Sequence, residues 1–192
     1  MRSHTTSNQP LLWGLLHGLN DFVAGYMLAN FTYTHQYKDA VTALIIYAII
    51  GFGGQLPVGF WLDKQKQIKP FASVSIVFLL LAIAFYFIDT FVAIIITAIA
   101  GAGIHVTGGA VCLQVNENKS GPLALFTAPG VLGLTLGGFL GNISSLYLII
   151  PALAVIFLAI KIFYSGLPLY QAQNKNHASQ LDKHDFMMLG IL

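Results

Sequence analysis

Residues 11–32 read LLWGLLHGLNDFVAGYMLANFT, from Leu11 to Thr32. Taken as one helix, the run is long enough to cross a bilayer, which needs about 20 mainly apolar residues. It carries His17, Asn20 and Asp21 in its middle. Spacings of three and four put these side chains on one helix face, with Trp13 and Gly14 a turn before and Ala24 and Gly25 a turn after. A carboxylate in hydrocarbon costs roughly 2.5–3.5 kcal/mol even on lenient insertion scales, so such a residue faces a bundle interior or a wet cavity and marks function.

The rest of the chain agrees with a membrane setting. Of 192 residues, 56% are hydrophobic and only 8% charged, and the mean hydropathy is +0.75. A soluble domain has about a quarter of its residues charged. The net charge of +2 is small and scattered, which excludes nucleic acid as a partner. The one cysteine, Cys112, permits no intrachain disulfide and is expected to be a small buried apolar residue. Residues 1–10 are polar and lack the small-residue cleavage site of a secretory signal, so the first hydrophobic segment is expected to be retained behind a short tail.

Six segments are apolar enough to span, at about 11–32, 40–62, 70–88, 91–114, 121–141 and 145–165. The joints are short and carry turn residues, among them Asp89-Thr90, Asn116 to Gly121 before Pro122, and Gly141-Asn142. The expected architecture is an all-α six-helix membrane domain over 11–165, followed by a polar tail over 166–192 with an apolar end too short to cross. With a cytoplasmic N-terminus, the inside segments hold Arg2, Lys64, Lys66, Lys69, Lys119, Lys161, Lys175 and Lys183. Only Lys38 then lies outside, so both termini are expected in the cytoplasm. Tyr33, Tyr37, Tyr86, Tyr147 and Tyr164 fall near segment ends, where amphipathic rings prefer the interface.

Gly101 to Gly109 can be laid over Trp13 to Asp21, which places His105 on His17. A three-plus-three inverted repeat, with its site near the midplane, is how many secondary transporters are built. The overlay nominates the first and fourth spans as equivalent cavity liners.

The second span ends in Gly59, Asp63 and Lys64, a glycine followed after three residues by an aspartate and then a basic residue. This resembles the major facilitator superfamily, although Lys66 and Gln67 stand where that family has glycine and arginine. The resemblance implies that Gly59, Asp63 and Lys64 belong to a cytoplasmic gate. The His-x-x-Asn-Asp of the first span looks like proton-coupled exporters of the fosmidomycin-resistance type. The fifth span, Ala128 to Gly138, is glycine-rich where antiporters of the family carry a signature, though in a different order; the preferred reading is that Gly130, Gly133 and Gly137 are small residues that let helix backbones approach, which needs no transport role. The family has twelve helices in two halves, whereas this chain supplies one. By the resemblance it is a half-size secondary transporter, a multi-pass protein of the bacterial inner membrane. A lone half would leave Asp21 and His17 against lipid, so a second half is expected to cover them, a second copy in preference to a different chain.

In this reading Asp21 binds and releases a coupling proton, His17 relays it or bonds the substrate, and Asn20 orients either. His105, Thr107 and Gln114 contribute from the fourth span and Gln55 from the second, while Trp13, Phe22 and Tyr26 line the cavity. The spans hold no arginine for an organic anion, which favours a lipophilic or cationic solute. Asp89 and Glu117 are expected at hydrated helix ends, and Lys161 to snorkel. His17 and Asp21 could in principle start a metal site, but no histidine pair has helical ligand spacing and no thiolate cluster exists, so neither metal nor cofactor is expected and a membrane-embedded enzyme is disfavoured. A channel lacks a visible filter. A non-transporting accessory subunit is the main rival, separable by asking whether the purified chain alone moves solute.

Overall fold

The computed structural model describes residues 8–65, 67–115 and 120–167, and among these every regular element is helical. Helix α1 covers Gln9–Thr34. Helix α2, Tyr37–Ala48, runs through a π segment at Ile49–Gly53 into α3, Gln55–Gln65. Then follow α4 (Ile68–Tyr86), α5 (Thr90–Val115) and α6 (Gly121–Leu140). A 3-10 turn at Ser145–Leu148 leads into α7, Ile149–Tyr164. With α2 and α3 as one rod, the described helices form six rods at the six places the hydropathy reading put them.

Five of these rods are long and apolar enough to cross a membrane. The exception is α1, whose polar residues lower its hydropathy although its 26 residues reach about 39 Å. Gln9 and Pro10, expected in the N-terminal tail, instead begin α1. A proline suits the first turn, where its missing N–H has no partner to lose.

The first and last described helices are tied together. Gln9 Nε2 donates to Ser165 Oγ at 2.7 Å and to the Gly166 carbonyl at 2.9 Å, joining the beginning of α1 to the end of α7. Gly166 ends α7 with φ of +78°, a left-handed turn that glycine adopts without a Cβ penalty. At the opposite end of the bundle Asp89 caps α5, its side chain accepting the Val92 N–H at 3.0 Å. Lys64, Lys69 and Lys161 lie at rod ends on the Gln9 side, whereas Lys38 starts α2 on the other. Arg2, Lys66, Lys119, Lys175, Lys183 and Glu117 lie outside the described residues, as do 168–192 of the expected tail. Of the five tyrosines expected at an interface, Tyr33, Tyr37, Tyr147 and Tyr164 are exposed at rod ends. Tyr86 is instead buried, edge-on to Tyr26.

Helices α1 and α5 form the centre. Trp13, Leu16, Tyr26 and Met27 of α1 and Ile94, Ile104 and Val111 of α5 are buried in one core. Helix α1 meets α6 backbone to backbone, because a methyl at Gly14, Gly18 or Gly25 would overlap main-chain atoms of Leu125, Pro129 or Leu134. The reverse holds at Gly133 and Gly137, which abut the backbone of Gly18 and Phe22. In lipid there is no hydrophobic drive between helices, so such close fits and the dispersion they gain hold rods together. Gly103 of α5 likewise makes room for the Ser75 side chain of α4. This seam of α1, α5 and α6 positions the polar cluster.

Candidate functional site

The helical spacing of α1 brings His17 Nε2 to 3.0 Å from Asp21 Oδ2. Asn20 Nδ2 holds the other carboxylate oxygen, Oδ1, also at 3.0 Å. From α5, His105 approaches until its Nε2 lies 2.8 Å from Nε2 of His17, the two rings meeting edge to face. His17, Asn20, Asp21 and His105 thus form one cluster. The overlay that placed His105 on His17 named two residues that touch.

The remaining ring nitrogens fix the tautomers. His17 Nδ1 lies 2.8 Å from the Phe126 carbonyl, and His105 Nδ1 lies 2.6 Å from the Gly101 carbonyl one turn back. A carbonyl only accepts, so each Nδ1 carries the hydrogen. In the neutral state each Nε2 is then bare, and two lone pairs face each other beside a carboxylate. At 2.8 Å such a pair needs a cation between the nitrogens. One proton suffices: it turns one ring into an imidazolium that bonds its neighbour and is balanced by Asp21.

Helix α6 builds the back wall. Pro129 lies inside it and has no N–H to offer the Leu125 carbonyl. The His17 ring stacks on Phe126, and a methyl at Gly130 would overlap that ring. Sequence reasoning named Gly130 as a point of close helix approach, which the structure bears out, but missed Phe126, whose place against the His17 ring no local pattern signals. Phe52 of the π segment, 6.4 Å from His105 between ring centroids, was missed as well.

His17 is 5% exposed and Asn20 fully buried, while the Asp21 side chain keeps 13%. The cluster is covered mainly by α5 and α6 of its own chain. The expectation that a lone copy would leave these groups against lipid is thereby corrected, since the glycines of α6 let its backbone close over them. Asn20 Oδ1 is buried without a partner.

The secondary candidates go elsewhere. Thr107 donates back to the Gly103 carbonyl, and Gln55 Nε2 to the Gly51 carbonyl at 3.2 Å, so both serve their own helices. Tyr26 donates to the Ile143 carbonyl at 2.6 Å, tying α1 to the joint after α6. Trp13 is fully buried against Gly108, its indole N–H unpaired. Gln114 lies about two and a half turns beyond His105, its Oε1 buried and unpaired. Asp63 and Lys64 are exposed at the end of α3, and Gly59 faces open space within this chain. Two surface hollows, one lined by Pro57, Phe60, Trp61 and Lys64 and one around Phe31, His35 and Asp89, do not include the cluster.

One ligand atom each from His17, Asp21 and His105 falls within 4.8 Å of the others, close enough to hold a metal ion. The sequence reading sought ligands spaced along one helix, and this pair is separated by 88 residues. Comparison with protein-family models, curated proteins and solved structures finds no match to the chain.

Proposed function

We propose that the chain is one half of a secondary active transporter of the major facilitator type, moving a small solute by alternating access with a proton as coupling ion. The observation that carries this reading is the His17–His105 pair, 2.8 Å apart across α1 and α5 and beside Asp21, which a single exchangeable proton can hold together. Removing that proton sets two lone pairs face to face next to a carboxylate. The protonated cluster therefore favours close α1 and α5, and the deprotonated one favours their separation, which links proton binding to a helix movement.

In this reading α1 and α5, the first and fourth rods, are equivalent members of a three-plus-three inverted repeat, with both termini cytoplasmic in a bacterial inner membrane. A second half, by preference another copy, completes the path, and Gly59, Asp63 and Lys64 at the end of α3 gate it. The test is uptake of ethidium, a lipophilic cation, into proteoliposomes under an imposed pH gradient. Gradient-driven uptake that falls at least ten-fold in Asp21→Asn supports the proposal. Undiminished uptake by that variant removes Asp21 as the counter-charge of the coupling proton and with it the proposed coupling.

The enclosure of His17 and Asn20 favours a second reading, an accessory subunit that uses the cluster to pin α1 to α5. Under that reading the purified chain moves nothing by itself and alters only a partner's flux.

A further inference from the structure

We propose that His17 Nε2, His105 Nε2 and a carboxylate oxygen of Asp21 bind a divalent transition-metal ion of the zinc class within the bundle. The inference stands on ligand geometry and not on transport, since a chain that moves nothing would still bind the ion. The three donor atoms already converge, at 2.8 Å between the two nitrogens and 3.0 Å from His17 to Asp21. Zinc bonds of about 2.0–2.1 Å in a tetrahedron place ligand atoms roughly 3.3 Å apart. The two short pairs open by a few tenths of an ångström to reach that spacing, while His105 and Asp21, whose ligand atoms lie within 4.8 Å, close toward it.

The surroundings are those of a ligand set. Both imidazoles anchor Nδ1–H on main-chain carbonyls, of Phe126 and of Gly101, and so present bare Nε2 atoms. Metal-binding histidines are oriented in this way, through a hydrogen bond from the second nitrogen. Asn20 does the same for Asp21 by holding its other oxygen at 3.0 Å. Two imidazoles and one carboxylate suit zinc, cobalt or nickel; calcium and magnesium prefer all-oxygen sites, and copper(I) prefers sulfur. Three protein ligands leave a fourth position for water, whose ionisation on zinc near neutral pH would neutralise the site.

The test titrates cobalt(II) into the untagged full chain in detergent, with visible absorption as readout and zinc as competitor. His4, His177 and His184 are replaced by alanine throughout to remove other histidine sites. The expected result is one cobalt per chain with the strong visible bands of a four-coordinate site, displaced by zinc. Affinity should fall at least ten-fold in His105→Ala and in Asp21→Asn, and stay unchanged in His35→Ala. Because His105→Ala could unfold, His105→Cys is tested beside it, where a sulfur-to-cobalt charge-transfer band is expected. Binding below one ion per chain, binding that survives His105→Ala, or the absence of that band in a folded His105→Cys overturns the proposal.

Discussion

The His17 ring lies over Gly130, where an added methyl would overlap ring atoms. Gly130→Ala should push the imidazole off the Phe126 carbonyl at an overpacking cost of about 1–3 kcal/mol, read as a lower unfolding temperature in nanodiscs. A second effect should accompany it, a changed titration of the His17 ring by NMR, which a merely looser bundle would not produce. At this scale the sequence was informative about one face of one helix. His17, Asn20 and Asp21 share a face because about 3.6 residues make a turn, and that holds whatever surrounds them. The tautomer could not be read, because the carbonyl that sets it belongs to Phe126, 109 residues away. What Thr107 and Gln55 bond was out of reach for a related reason: a hydroxyl or amide in an apolar helix can satisfy itself on nearby backbone as well as across to another helix, and both donate to the carbonyl four residues back.

Among the elements, the α1–α6 seam depends on what glycine omits. Gly137 abuts the Phe22 backbone, whereas its neighbour Gly138 has open space where a methyl would stand. Gly137→Ala should therefore force α1 and α6 apart and destabilise by about 1–3 kcal/mol, while Gly138→Ala should be near neutral; thermal unfolding of the two variants checks the contrast. Asp89→Ala should cost about 1 kcal/mol through loss of the α5 cap, with Asp89→Asn recovering most of it in the same unfolding measurement. The rods themselves were legible, since length and hydropathy define a span without knowledge of its neighbours. The π segment at Ile49–Gly53 was not, because a run of apolar residues and glycines there reads as ordinary helix. It lies beside α5 at the level of the cluster, with Gly51 facing Ala98 and Phe52 6.4 Å from His105 between ring centroids.

At the scale of the whole molecule, one chain encloses most of its own polar cluster. The need for a second copy therefore comes from transport and not from the burial of His17. If two copies complete a path, native mass spectrometry from nanodiscs should find dimers, and gradient-driven ethidium uptake should follow the dimer fraction. A fully active monomer would remove the dimer from the proposal and leave the proton site standing. Chain order gave the six rods and the overlay of His105 on His17, but not which helix covers the pair. Gly130, Gly133 and Gly137 were legible as points of close helix approach, and they do meet α1, but the identity of the helix they approach could not be read from the chain.

Every functional reading of this protein passes through the pair of nitrogens between α1 and α5. Nitrogen-15 NMR of histidine-labelled protein in nanodiscs, with zinc removed, reads their state directly. The expected spectrum has a hydrogen on Nδ1 of both His17 and His105, and one further proton shared between the two Nε2 atoms, seen as a nitrogen–nitrogen coupling across the hydrogen bond. A bare Nδ1 on either ring, or no coupling between the rings while both remain folded and buried, would contradict it.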